Sequence, residues 1–199
     1  MEIFLVRHGE TGGNVAHRHQ AEETPLSVKG RQQAATVAQE IKKLNPTHLV
    51  SSSLVRTVET ASVIGDACDL IPETHTSLIE LVRPKHMYGH RHHSLKSKLF
   101  YAQWFFGRTK DGESYEELRG RIKEAKKLLS QYPDDAKVIV VTHSVFMSLF
   151  VAHICCDESL SLFDAVKVFR KILSMPNAHM TKLQFDGEVS DDLCAWSVG

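Results

Sequence analysis

Ile3-Phe4-Leu5-Val6 is an unbroken apolar run of strand length, and residues 137–142 form a near-continuous β-branched run. Neither alternates with polar positions, so both predict strands covered on two faces, as in a parallel sheet. Between them the pattern changes period. Residues 28–43 carry Val28, Ala34, Ala35, Val37, Ala38 and Ile41 at helical spacing, with Pro25 ahead and Asn45-Pro46 as the stop. A short strand is expected at 47–50, a polar turn at 51–53, and a helix at 54–68 burying Leu54, Val55, Val58, Ala61 and Ile64. A third long helix is expected at 114–132, with Glu116-Glu117 early, Lys126-Lys127 late and Pro133-Asp134-Asp135 as its breaker. Residues 179–185 and 194–198 read as short edge strands around Asp186-Gly187. Strands alternating with helices predict an α/β fold: three layers, a doubly wound, mostly parallel sheet with helices on both faces.

Composition narrows this picture. The 199 residues are 42% hydrophobic and 24% charged, which suits one domain with a well-buried core. Lys plus Arg and Asp plus Glu are both 24, so net charge supplies no reason to bind nucleic acid or a membrane surface. The charges are nevertheless segregated. Residues 81–110 hold seven basic side chains (Arg83, Lys85, Arg91, Lys96, Lys98, Arg108, Lys110) and no acidic one, +7 against −7 for the remainder. A basic, aromatic-rich, lid-like insertion at about 81–112 is therefore expected beside a site for anions, with Phe100, Tyr101, Trp104, Phe105 and Phe106 packing it against the body.

No apolar run approaches the length of a membrane span, and a strand starting at residue 2 or 3 leaves no room for a cleavable signal peptide, so a cytoplasmic protein is expected. Cys68, Cys155, Cys156 and Cys194 show no metal-ligand spacing and are expected as free thiols. His86, His90, His92 and His93 match no ligand pattern within one element, and the neighbouring Arg91, Lys96 and Lys98 would repel a dication; neither a metal nor a cofactor is expected.

The chemistry concentrates at strand ends. Arg7-His8-Gly9-Glu10-Thr11 follows the first strand and His143 follows the run ending at Thr142. In open parallel sheets ligands bind beyond the carboxyl ends of the strands, so two histidines there would share one rim. With Asn14, these residues form the first and last of several ordered blocks: Pro25-Leu26-Ser27 with Gly30 and Gln33-Ala34; Ser51-Ser52-Ser53-Leu54 with Arg56-Thr57 and Thr60-Ala61; Leu78-Ile79-Glu80; Gly112-Glu113-Ser114; and Val140-Val141-Thr142-His143. Through these blocks the chain resembles the histidine phosphatase superfamily, the phosphoglycerate mutase-like proteins, from residue 3 to about 185.

The resemblance implies that Arg7, Arg56 and His143 surround a phosphate, that Asn14 adds a donor, and that His8 attacks phosphorus to give a phosphohistidine. It makes Glu80 the acid that protonates the leaving oxygen and then the base that activates water. Elementary chemistry agrees: cations favour a neutral, nucleophilic imidazole, and a guanidinium fork fits phosphate oxygens in a way lysine cannot. Glu10 is expected to organise structure, and Glu73 to be a loop carboxylate. The chain departs from the family at 15–24, where His17 and Arg18 are expected as exposed loop residues. The expected activity is metal-independent hydrolysis of a small phosphorylated substrate, one carrying several charges being favoured by the basic segment. Phosphoglycerate mutase-type phosphotransfer, a phosphohistidine protein phosphatase and a non-catalytic phospholigand-binding module are the alternatives. Nothing in the sequence sets an oligomeric state.

Overall fold

The computed structural model describes residues 1–109, 111–155, 159–187 and 194–199. In chain order the elements are β1 (Glu2–Arg7), α1 (Gly12–Val15), α2 (Val28–Lys42), β2 (His48–Ser52), α3 (Val55–Cys68), β3 (Glu73–His75), α4 (Leu95–Phe105), α5 (Tyr115–Leu129), β4 (Lys137–Thr142), α6 (Ser144–Ala152), α7 (Leu162–Ser174), β5 (Met180–Phe185) and β6 (Trp196–Val198). The sheet order is β3-β2-β4-β1-β5-β6. The first four strands in that order are mutually parallel, and β5 and β6 add antiparallel pairings at one side.

Alternation along the buried strands builds the layers. Phe4, Val6, Leu49, Ile139 and Val141 face α2 and α3, where Val37, Ala38, Ile41, Ala61 and Ile64 close one core. Ile3, Leu5, Val50, Val138 and Val140 face the other way, against α5 and α6 and the side chains of Leu78, Phe100 and Trp104. Each fully buried aliphatic side chain contributes on the order of 1.5–3 kcal/mol, so strands covered on both faces dominate the stability of this fold. Helix starts follow local chemistry: Ser27 and Ser114 accept from the N–H three residues on, and Glu117 returns the bond to Ser114.

Four expectations need correction. Ser51 and Ser52 are buried strand residues, not a turn, because Ser51 Oγ donates to the Ser52 carbonyl and both residues stay in the ladder. Glu73 opens β3, paired with Val50, and is not in a loop. α7 lies outside the elements expected from the hydrophobic pattern. Cys155 and Cys194 are joined in a disulfide with Cα atoms 5.3 Å apart, whereas Cys68 is free. Spacing along the chain could not reveal that pair, because the end of α6 and the start of β6 meet only through the fold. Cys156 and Lys110 lie outside the described residues. Among the described residues, no helix is long and apolar enough to cross a membrane.

Candidate active site

Strand register brings the two histidines together. β1 and β4 run parallel with Arg7 opposite Thr142, and the His8 N–H donates to the Thr142 carbonyl at 3.0 Å. The next residue of each strand, His8 and His143, therefore emerges at one rim, with ring centroids 5.2 Å apart in an edge contact. The loop carrying His8 is fixed by close packing on α2. A Cβ at Gly9 would lie 2.3 Å from the Gly30 carbonyl oxygen, and one at Gly30 would lie 2.0 Å from that of Glu10. Glycine is required at both positions by backbone approach alone. Glu10 secures the same junction, its carboxylate accepting from Ser27 Oγ at 3.0 Å and its N–H donating to Gln33 Oε1 at 2.8 Å.

His8 is buried, and its Nδ1 lies 2.7 Å from the Gly9 carbonyl oxygen. A carbonyl can only accept, so Nδ1 carries the proton and Nε2 keeps its lone pair. Burial, then the nearby Arg56 and Arg7 cations, hold the His8 pKa well below the ordinary imidazole value, the Gly9 bond opposing them. The ring is thus a neutral base with one exposed lone pair, the form a nucleophile requires.

Arg7, His8, Asn14, Arg56 and Glu80 line one cavity of about 640 Å³, and His143, fully buried, backs His8 without lining it. Arg7 leaves β1 and donates to the Met175 carbonyl. Arg56, in the first turn of α3, donates to the Ala21 carbonyl at 3.1 Å. Burial pulls the Arg56 pKa down to about 10, with Glu80 opposing, so the side chain stays cationic at neutral pH. The Nε groups of Arg7 and Arg56 and Nδ1 of His143 are buried with no hydrogen-bond partner among the described residues. Buried polar atoms are rarely left so, and an anion beside His8 could satisfy several at once. Ser52 Oγ lies 2.8 Å from His143 Nε2 and orients that ring. The Asn14 side-chain oxygen accepts from Thr11 and Asn177, so its NH₂ is the group left to donate.

Glu80 is held by a device that the sequence does not show. Its carboxylate accepts from the Val145 and Phe146 N–H groups at 3.3 and 3.0 Å, in the first turn of α6, and from its own neighbour Leu81. The segment behind it is clamped by Arg121, which donates to the Ser77 and Ile79 carbonyls while forming two 2.7 Å bonds to Glu113. Periodicity could suggest neither partner, though Glu113 stands in the Gly112-Glu113-Ser114 block.

The remaining wall joins two regions that look separate in sequence. The exposed His17 and Arg18 line the cavity together with His92, His93 and Lys98, because the His92 N–H donates to the His17 carbonyl and the His19 N–H to that of His90. Of the seven basic residues of the insertion, Arg83 and Lys98 line the cavity among the described residues. Arg83 is already engaged, donating to the Tyr101 hydroxyl at 3.0 Å. Burial and the Arg83 charge lower the pKa of His19 to about 3 and of His92 to about 4. Among the described residues no three His, Cys, Asp or Glu side chains gather as around a metal ion. Asn177, which sequence reasoning missed, lines the same cavity and donates to Asn14 and to the His8 carbonyl.

The fold and this rim define an α/β protein with a cation-lined cavity beyond the carboxyl ends of its parallel strands. The sequence profile of the histidine phosphatase superfamily (branch 1) matches residues 3–191, and the chain belongs to that superfamily. It is 34% identical over 163 residues to the probable phosphoglycerate mutase GpmB of Serratia proteamaculans, covering 76% of this chain and 74% of that protein. Its structure is similar to a mycobacterial glucosyl-3-phosphoglycerate phosphatase solved with VO3, with a TM-score of 0.75, 25% identity and coverage of 100% of this chain and 96% of the other. The fold is also similar to that of the alpha-ribazole phosphatase of Shigella flexneri, with a TM-score of 0.77, 19% identity and 94% and 92% of the two chains covered.

Proposed function

We propose that the protein is a metal-independent phosphomonoesterase working through a phosphohistidine on His8. The observation that carries this reading is the His8 tautomer: Nδ1 tied to the Gly9 carbonyl and Nε2 free, with the Arg7 and Arg56 charges acting on the ring. Nε2 attacks phosphorus, the bond from phosphorus to the ester oxygen breaks, and Glu80 in its protonated form delivers a proton to the departing alkoxide. Glu80, now a carboxylate, takes a proton from water as that water attacks the phosphohistidine. Inorganic phosphate leaves, and both side chains return to their starting states. Arg7, Arg56 and the Asn14 amide, all on the cavity wall, stabilise the charge on the transferring group, which is where preorganised donors act most strongly, and His143 backs the His8 ring. Arginines on the cavity wall would repel a dication, which is why no metal has a part in this scheme.

Support from relatives divides between two reactions. The solved neighbours are named as phosphatases of chemically unlike monoesters, and the curated relative is named as a probable mutase. Phosphoglycerate mutase-type transfer shares the phosphohistidine step and is the second reading.

Hydrolysis of p-nitrophenyl phosphate in EDTA by wild type and His8→Ala tests the proposal, with alkali-quenched samples examined for phosphohistidine, which survives base. Turnover and a phosphorylated wild type, with neither in the variant, are expected. Equal rates in the two proteins would remove His8 as nucleophile.

A further inference from the structure

We propose that the leaving group this site accepts is apolar, the substrate being a phosphomonoester with an alkyl or aromatic body and one phosphoryl head. This rests on the phosphatase reading and names its substrate class. The cavity has two unlike ends. Next to His8 the wall is made of arginine, carboxylate and amide groups; further out, one part is formed by Phe105 at the end of α4, Phe106 just after it, and Leu162, Val166, Phe169 and Leu173 of α7, and the rest by His17, Arg18, His92, His93 and Lys98.

Spacings of four, three and four residues put these α7 side chains on one helix face. Phe169 also packs on the core and meets Tyr101 of α4 edge-on at 5.5 Å, which ties the two helices together. Leu162, Val166 and Leu173 face the cavity and remain 63%, 58% and 62% exposed. A stripe of large aliphatic side chains left open to water, continuous with a catalytic rim, is covered once a ligand fills the cavity. A three-carbon hydroxy acid phosphate would occupy the polar end of a 640 Å³ cavity and leave this wall wet. Two of the outer cations are already engaged, Arg83 by the Tyr101 hydroxyl and Arg18 by the Gly89 carbonyl, which leaves Lys98 beside His17, His92 and His93 on the polar part of the wall. Among the described residues, most basic side chains of the insertion do not line the cavity, so its segregated charge is a poor guide to the substrate's charge.

Alkylphosphonates, which cannot be hydrolysed, test this by binding alone. Calorimetric titration of the wild-type protein with ethyl-, butyl- and hexylphosphonate keeps the head group constant while the tail grows. A buried methylene is worth about 0.8 kcal/mol, and a wall half open to water recovers roughly half, so hexylphosphonate should bind about tenfold more tightly than ethylphosphonate. Val166→Ser/Leu173→Ser should flatten the series, and Ile71→Ser, at an exposed site elsewhere, should preserve it. Equal affinity for ethyl and hexyl in wild type would overturn the proposal, as would a series unchanged in the Val166→Ser/Leu173→Ser protein. If that protein does not fold, as judged by circular dichroism, the wild-type series decides. Chain-length dependence without p-nitrophenyl phosphate turnover would retain the subsite and reject the phosphatase reading. Turnover with a flat series would do the reverse, and failure to bind any phosphonate would reject both.

Discussion

Glu80 and His8 are held by opposite kinds of bond. His8 gives one ring nitrogen to a carbonyl and keeps the other, whereas Glu80 takes backbone N–H groups from α6 that fix its carboxylate at the cavity. If Glu80 supplies the leaving-group proton, its loss should matter in proportion to how badly the leaving group needs one. Glu80→Gln is expected to slow hydrolysis of an alkyl phosphate by about 10²–10⁴-fold and to slow transfer from p-nitrophenyl phosphate to His8 far less, since nitrophenolate departs unaided. Burst kinetics with both substrates check this, and equal losses in the transfer step would show that Glu80 only shapes the site.

At the scale of elements, the site depends on how α5 and α6 meet the segment after β3. Arg121 of α5 and Glu113 form a two-bond ion pair with side chains only 12% and 9% exposed, and the same guanidinium holds two carbonyls of the Glu80 segment. Removing one member of a buried pair strands the other, at a cost of about 3–5 kcal/mol. Glu113→Gln should therefore lower the urea midpoint by a corresponding amount and depress kcat through misplaced Glu80, whereas a surface pair such as Lys167 with Asp164 should be replaceable with little effect. An unchanged midpoint in Glu113→Gln would rule out the clamp.

Over the whole molecule, buried neutral histidines and one covalent link set the response to conditions. His19 and His92 titrate near 3 and 4 in the folded chain against about 6.5 when free, and His8 and His143 are also held well below that value. The unfolded chain thus binds more protons in this range. Their contribution is complete above pH 6.5 and is lost progressively as pH falls from 6.5 towards about 3. Urea unfolding between pH 7.5 and 5 should show stability decreasing on the acid side, and a flat profile would contradict the neutral cluster. The Cys155–Cys194 bridge spans 39 residues, and loop-closure entropy values it at about 2–4 kcal/mol. Dithiothreitol is expected to lower the melting temperature of wild type but not of Cys155→Ala/Cys194→Ala.

Local periodicity determined a large part of this protein. β1, β4, α2, α3 and α5 stand within three residues of where their patterns put them, since burial on one or two faces is written into nearby residues. Because His8 and His143 directly follow two such strands, the rim of the site was legible too. What only the tertiary structure decided are contacts between distant segments: Arg7 on the Met175 carbonyl, Glu80 on the α6 amides, Asn177 on Asn14, Cys155 on Cys194, and loop 17–20 against 89–92. The apolar wall from α4 and α7 belongs with these, because an amphipathic stripe does not reveal whether it will meet a core or line a cavity. The periods of strand and helix fix which face a side chain takes, and only the closing of the chain fixes what that face meets.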